Sequence, residues 1–272
     1  MGLFKYCGES GLQVLRSLEL KATPPNEFND PFEFSPVVRT KKPRAYAEQE
    51  VMEILSSPRF FEAHRSHFPD CKTFREFQSF AHGRKSAVIS LMEAETPNLD
   101  ARLDVLGTVS QVVGVICFSA DPLQPLMWAH YASSHKGLVL EFDEKDPVFN
   151  NDSFLKVDYN ATRAEYDQGV SDVISAAQLF AKRKSPHWDY EQEYRLIVEL
   201  ELARKQVNGT NVIHLFKFEP TLLKSVTLGL RASGAARNEV LSLANKSPLE
   251  HVEVFQIEAD KNEFKLHRMK IK

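Results

Sequence analysis

The chain has 272 residues, 43% of them hydrophobic and 26% charged, with a formal net charge of -3. That composition suits a single folded domain, 1–272, or one domain carrying an insertion. It excludes a global electrostatic pull toward nucleic acid or anionic lipid, although a local basic cleft is compatible with a near-neutral total.

The opening MGLFKYCGES lacks the charged and apolar regions of a secretory signal, and Tyr6 stands where a myristoylation motif needs Ser or Thr. The longest apolar run, Val109 to Phe118, is broken by Ser110 and Gln111 and reaches about half a membrane span. A cytoplasmic protein without membrane attachment is expected. Cys7, Cys71 and Cys117 are far apart with no CxxC, which argues against a disulfide framework and a zinc site. No HxxxH or HExxH occurs, and His64 and His67 of HRSH read as a solvated helical face rather than ligands.

In chain order, GLFKY reads as a short strand, followed by a helical turn and a second strand ending at Thr23. PPNEFNDPFEF is a turn-rich loop, but Phe28, Phe32 and Phe34 imply that it packs inward. Within it Asn29-Asp30-Pro31 is a turn signal in which Asp30 caps its own backbone. From 44 to 110, apolar residues recur at threes and fours, which predicts a helical insertion. Strands then dominate: QVVGVICFSA, GLVLEFD, FLKVDY, YRLIVEL, NVIHLFKF, SVTLGL, HVEVFQIEAD and FKLHRMKI, with EYDQGVSDVISAAQLFAKRK as an amphipathic helix among them. Few strand–helix–strand repeats appear, so the expected fold is α+β with a mixed, largely antiparallel sheet.

Two segments carry chemistry. In SPHWDYEQEYRLIVEL, Glu191, Glu193 and Arg195 alternate along a strand and would share one face, with Tyr194, Leu196 and Val198 on the other. Carboxylates and a guanidinium side by side persist when solvated, mutually paired or ligand-bound. A solvated edge, with the two glutamates partnering Arg195 or Lys184, is the plain alternative to a site. The neighbouring Trp188 and Tyr190 favour a pocket wall. In MWAHYASSHKGLVLEFD, a short helix closes at Gly137 as its C-cap. By spacing alone Trp128 and Tyr131 read as core pillars. No P-loop, GxGxxG or GxSxG is present, and Cys117 in an apolar strand reads as an inert thiol.

LFKY, FNDPFE, MWAHYASSHKGLVLEFD, WxxExEYRL and FEPTLLKSVTLG, in that order from Leu3 to about Gly229, resemble the bacterial domain-of-unknown-function family 2971. More distantly the pattern is similar to ADP-ribosyltransferases, in which a first strand, an aromatic or Ser-Thr-Ser strand and a late Glu-x-Glu strand surround NAD. Here Lys5 or Tyr6 takes the first position in place of Arg or His, Ser119 of FSA the second, and Glu191 and Glu193 the third.

The resemblance implies an enzyme using NAD as substrate, with Glu193 as the main carboxylate and Glu191 serving the acceptor. Trp128 or Tyr131 would stack on nicotinamide, and Lys5 or Arg195 would meet the pyrophosphate. His130 joins Trp128 and Tyr131 as a residue expected to face the pocket of Glu193. The acceptor would be protein or nucleic acid, and the setting a toxin or an anti-phage defence effector with an operon partner. Two alternatives stay open: a non-catalytic nucleotide-sensing or partner-binding domain, and a metal-dependent nuclease using Glu191, Glu193 and Asp30.

Overall fold

A computed structural model describes every residue except 1, 9, 41–43, 94, 95, 98 and 168–171. The fold is α+β, with a main sheet that is mixed and mostly antiparallel. The chain divides into two compact units.

The larger unit, comprising 1–36, 102–164 and 171–272, is organised by an eight-stranded sheet. Its spatial order is Leu266–Lys270, Glu253–Ala259, Leu223–Leu228, Leu138–Phe142, Leu3–Cys7, Val113–Ser119, Glu193–Glu199 and Phe154–Lys156. Every neighbouring pair is antiparallel except Leu223–Leu228 with Glu253–Ala259. Those two are parallel because the helix Gly234–Ala244 carries the chain back between them. The strand Asn211–Lys217 lies outside this sheet, in a three-stranded sheet with Arg204–Asn208 and Glu19–Ala22.

Side-chain alternation gives the main sheet two chemically different faces. Ile116, Phe118, Leu196 and Val198 join Leu3, Leu140, Phe142 and Val226 in the largest apolar cluster. The opposite face carries Phe4, Tyr6, Trp128 and Val139 in a smaller cluster. At one end of this second face the sheet turns polar, because Ser119 and Cys117 stand opposite Glu193 and Arg195 in register. Burial of large apolar side chains, each roughly 1.5–3 kcal/mol, fixes which strand positions point inward. The polar residues are thereby committed to the remaining positions.

The smaller unit comprises 37–101 and 165–170. It has helices Arg44–Leu55, Pro58–Ala63, Phe74–His82 and Lys85–Glu93 and a three-stranded sheet of Val37–Thr40, Thr96–Pro97 and Glu165–Asp167. Phe74–His82 starts at a capping box in which Thr73 accepts from the Glu76 amide and Glu76 accepts from the Thr73 amide. Its face buries Phe77 against Phe61 and Cys71. His64 and His67 are exposed around a 3-10 turn, Arg65–His67.

Several local expectations shift. The helix read from EYDQGVSDVISAAQLFAKRK covers only Val173–Ala181, started by Asp172, whose carboxylate accepts the Ile174 and Ser175 amides. Its first residues instead form the strand Glu165–Asp167, where tertiary pairing overrides helical periodicity. Gly137 is no helix cap: the helix Pro125–Tyr131 ends at Ala132, and the left-handed backbone falls on Ser133, Ser134 and His135. Glycine is required there because a Cβ at 137 would lie 2.1 Å from the Cys7 carbonyl oxygen. Of the three loop phenylalanines, Phe34 is buried and tilts on Phe28 at 5.3 Å, whereas Phe32 is exposed. Asp30 caps as expected, accepting from the Phe32 amide at 2.9 Å. Among the described residues no helix is long and apolar enough to cross a membrane.

A buried carboxylate cluster at a one-ring cavity

Five ionisable side chains meet beneath the polar end of the sheet. Glu193 opens its strand and Arg195 follows on the same face. Glu191 arrives differently from the sequence expectation: it ends a 3-10 turn, Pro186–Glu191, and the left-handed Gln192 (φ 45°) separates it from the strand. Lys184 comes from the short strand Arg183–Lys184, and Glu33 from the aromatic loop. Phe34, next to Glu33, is held at φ 48°, a conformation that costs a non-glycine residue roughly 1–3 kcal/mol.

Lys184 Nζ is the hub. It lies 2.5 Å from Glu191 Oε2, 2.8 Å from Glu33 Oε1 and 3.0 Å from Glu193 Oε2. Arg195 grips both oxygens of Glu193, at 2.9 and 2.8 Å, reaches Glu33 Oε1 at 2.5 Å and donates to the Ala181 carbonyl. Its guanidinium lies against the rings of both Phe28 and Phe34, at 5.5 and 5.6 Å from their centroids. No side chain in the cluster is more than 5% exposed, so the solvated edge is replaced by a buried network. The partners are nevertheless those that plain pairing named, Arg195 and Lys184.

Glu191 and Glu193 are electrostatically unequal. Burial opposes ionisation of Glu193, but Arg195 and Lys184 overcome it and hold the carboxyl far below its ordinary range. For Glu191 burial wins, reinforced by the Glu193 charge, and the carboxyl is raised despite Lys184. The Tyr131 hydroxyl donates to Glu191 Oε1 at 2.7 Å. Burial and the Glu191 charge push the Tyr131 phenol well above its ordinary range, so it stays a donor.

Above the cluster lies a cavity of about 110 Å³ whose lining includes Tyr131, Glu191, Glu193, Glu33, Ser119 and Tyr6. A dry cavity of roughly 150 Å³ takes up benzene, so at about 110 Å³ this one admits at most a single ring. The Tyr6 hydroxyl donates to the Asp121 carbonyl at 2.8 Å and Ser119 Oγ is bonded to the Asp121 backbone, so both frame the cavity with polar groups already used. Lys5 borders the cavity, yet strand alternation gives it the face of Leu3 and Cys7, away from Phe4 and Tyr6.

Two expected site residues, Trp128 and His130, stand outside the cavity lining, and Arg195 stands in the cluster beneath it. Trp128 is wholly buried, meets Tyr6 edge-on at 5.5 Å and donates Nε1–H to the Pro122 carbonyl. Its ring packs in the smaller apolar cluster, the position that helical spacing gives a core pillar. His130 is exposed on the outer side of its helix. Arg195 is wholly buried and donates to Glu193, Glu33 and the Ala181 carbonyl. Glu33 was passed over in the sequence; an acid flanked by Phe32 and Phe34 in an inward-packing loop is the signal that marks it. Cys117 lines the cavity, and desolvation together with the Glu193 charge pushes its thiol far up, which suits an unreactive group.

Fold and site define an α+β protein with a buried, asymmetric carboxylate pair at a one-ring cavity. The family model described as Protein of unknown function (DUF2971) matches residues 127–196. That segment carries Tyr131, Lys184, Glu191, Glu193 and Arg195, but not Glu33. No curated protein and no solved structure matches the chain.

Proposed function

We propose that the chain is an ADP-ribosyltransferase-like enzyme that takes the nicotinamide ring of NAD into this cavity, with the ribose at its mouth. The observation that carries the reading is the split pair of glutamates: one carboxyl is held ionised and its neighbour is raised at the floor of a ring-sized space. Cleavage of the nicotinamide–ribose bond sends its electron pair to the ring nitrogen and leaves positive charge on the ribose. Anionic carboxylates in a low-dielectric site stabilise that charge. An acceptor on protein or nucleic acid then bonds to the ribose C1′, and its proton passes to Glu191, whose raised affinity for protons suits a general base.

This reverses the two roles first expected: Glu191 becomes the working carboxylate, and Glu193 the fixed charge that Arg195 and Lys184 hold. A toxin or an anti-phage effector is the setting such chemistry would serve. Against the metal-dependent nuclease stands Lys184 Nζ, which occupies the point among Glu33, Glu191 and Glu193 where a divalent ion would sit.

Incubation with NAD and quantification of released nicotinamide tests the reading. Wild-type protein is expected to release it, and Glu191→Gln to lose at least about a hundredfold of the rate, the usual share of a general base. Absence of release by folded wild-type protein, or an unchanged rate in Glu191→Gln, overturns it. A second reading, a non-catalytic nucleotide-binding domain, is favoured by the saturation of Glu193 and Arg195 with internal partners. It predicts NAD binding without release.

A further inference from the structure

A second cavity in the larger unit, of about 280 Å³, shares Lys184 with the first but has a different chemistry. Its lining includes the buried rings of Phe34 and Phe180. The exposed Phe32 lines it too, with the Arg163 guanidinium 4.8 Å from its ring centroid. Arg183 also borders it, held only loosely by Asp158 at 3.6 Å with both side chains substantially exposed. An exposed pair of that kind contributes little and yields readily to a stronger anion. Asn160 and Thr162 add polar groups, and among the described lining residues there is no Asp or Glu.

We infer that this cavity binds a planar ring carrying a phosphate, of the size of a mononucleotide. At the rim the half-exposed Phe32, stacked under Arg163, gives the ring a face to pack against. A guanidinium stacked on an aromatic keeps its N–H edge free for an anion, and two arginines without a competing carboxylate in the lining select phosphate over a neutral or cationic group. The volume is near the lower end of small-molecule sites, roughly 300–1,000 Å³, which fits a mononucleotide better than a dinucleotide. The inference rests on this cavity alone and does not need the chemistry proposed for Glu191.

Calorimetric titration of the full chain with AMP, adenosine and ribose 5-phosphate tests it. AMP is expected to bind saturably and at least tenfold more tightly than either fragment. Arg163→Gln and Arg183→Gln are each expected to remove most of the preference for AMP over adenosine. Phe32→Ala, at a side chain 56% exposed, should weaken AMP and adenosine alike while leaving the melting temperature in place. Absence of AMP binding, binding no tighter than adenosine, or binding indifferent to all three substitutions overturns the inference. Nicotinamide release is read separately, so failure here leaves the proposed reaction standing, and the reverse also holds.

Discussion

The Tyr131 hydroxyl donates a 2.7 Å hydrogen bond to Glu191 Oε1, joining residues sixty positions apart at one cavity wall. The helix Pro125–Tyr131 thereby reaches the end of the Glu193–Glu199 strand. This bond is among the contacts that restrain the Glu191 carboxyl from rising further.

Tyr131→Phe removes that donor and leaves a buried oxygen without it, at a cost of about 1–3 kcal/mol. Urea denaturation should show the loss. The acidic limb of any pH–rate profile should move to higher pH, because the carboxyl holds its proton more tightly. A limb that stays in place would separate Tyr131 from Glu191.

Glu193→Gln tests stability before it tests activity. It leaves Arg195 and Lys184 buried with one charge fewer, a loss of about 3–5 kcal/mol when one partner of a buried pair is removed. A large fall in melting temperature is therefore expected. Glu191→Gln keeps an oxygen for Tyr131 and should cost less. Equal losses would contradict the division of roles.

The pH dependence follows from the two shifts. Glu193 is lowered on folding, so its contribution is present above the ordinary glutamate range and is lost as pH falls below it. Glu191 is raised, so its contribution is full below that range and fades as pH rises through its folded value. The stability of wild type relative to Glu191→Gln should accordingly decline from about pH 4 toward neutrality, taking roughly 4.3 as the unfolded glutamate value. Chemical denaturation at several pH values checks this, and a flat difference would contradict the raised carboxyl.

Gly137→Ala should destabilise by about 3 kcal/mol or more, since the new Cβ meets backbone and not a movable side chain. Trp128→Phe loses the Nε1–H bond to Pro122 and part of a packed ring, yet should leave ligand affinity unchanged. Loss of affinity in a folded Trp128→Phe protein would return that residue to the site.

The alternation of Tyr194, Leu196 and Val198 was readable because burial of one sheet face imposes a period of two. The same alternation correctly put Glu193 with Arg195. Glu191 escaped it, because the left-handed Gln192 breaks the strand and only the tertiary position of Lys184 brings the two carboxylates together. Tyr131 could be named but not told apart from Trp128, as one helical turn offers both an aromatic in the core and an aromatic on the cavity. Glu33 depends on a loop fold that no periodicity encodes.

The central claim is that Glu191 and Glu193, two residues apart on one buried lysine, differ in proton affinity, Glu191 raised and Glu193 lowered. Carbon-13 NMR titration of protein labelled at the glutamate carboxyl carbons, assigned through Glu191→Gln and Glu193→Gln, measures it directly. The account predicts a Glu191 resonance that titrates above the ordinary glutamate range and a Glu193 resonance that stays ionised down to the acid limit of folding. Two resonances titrating together in the ordinary range would contradict it.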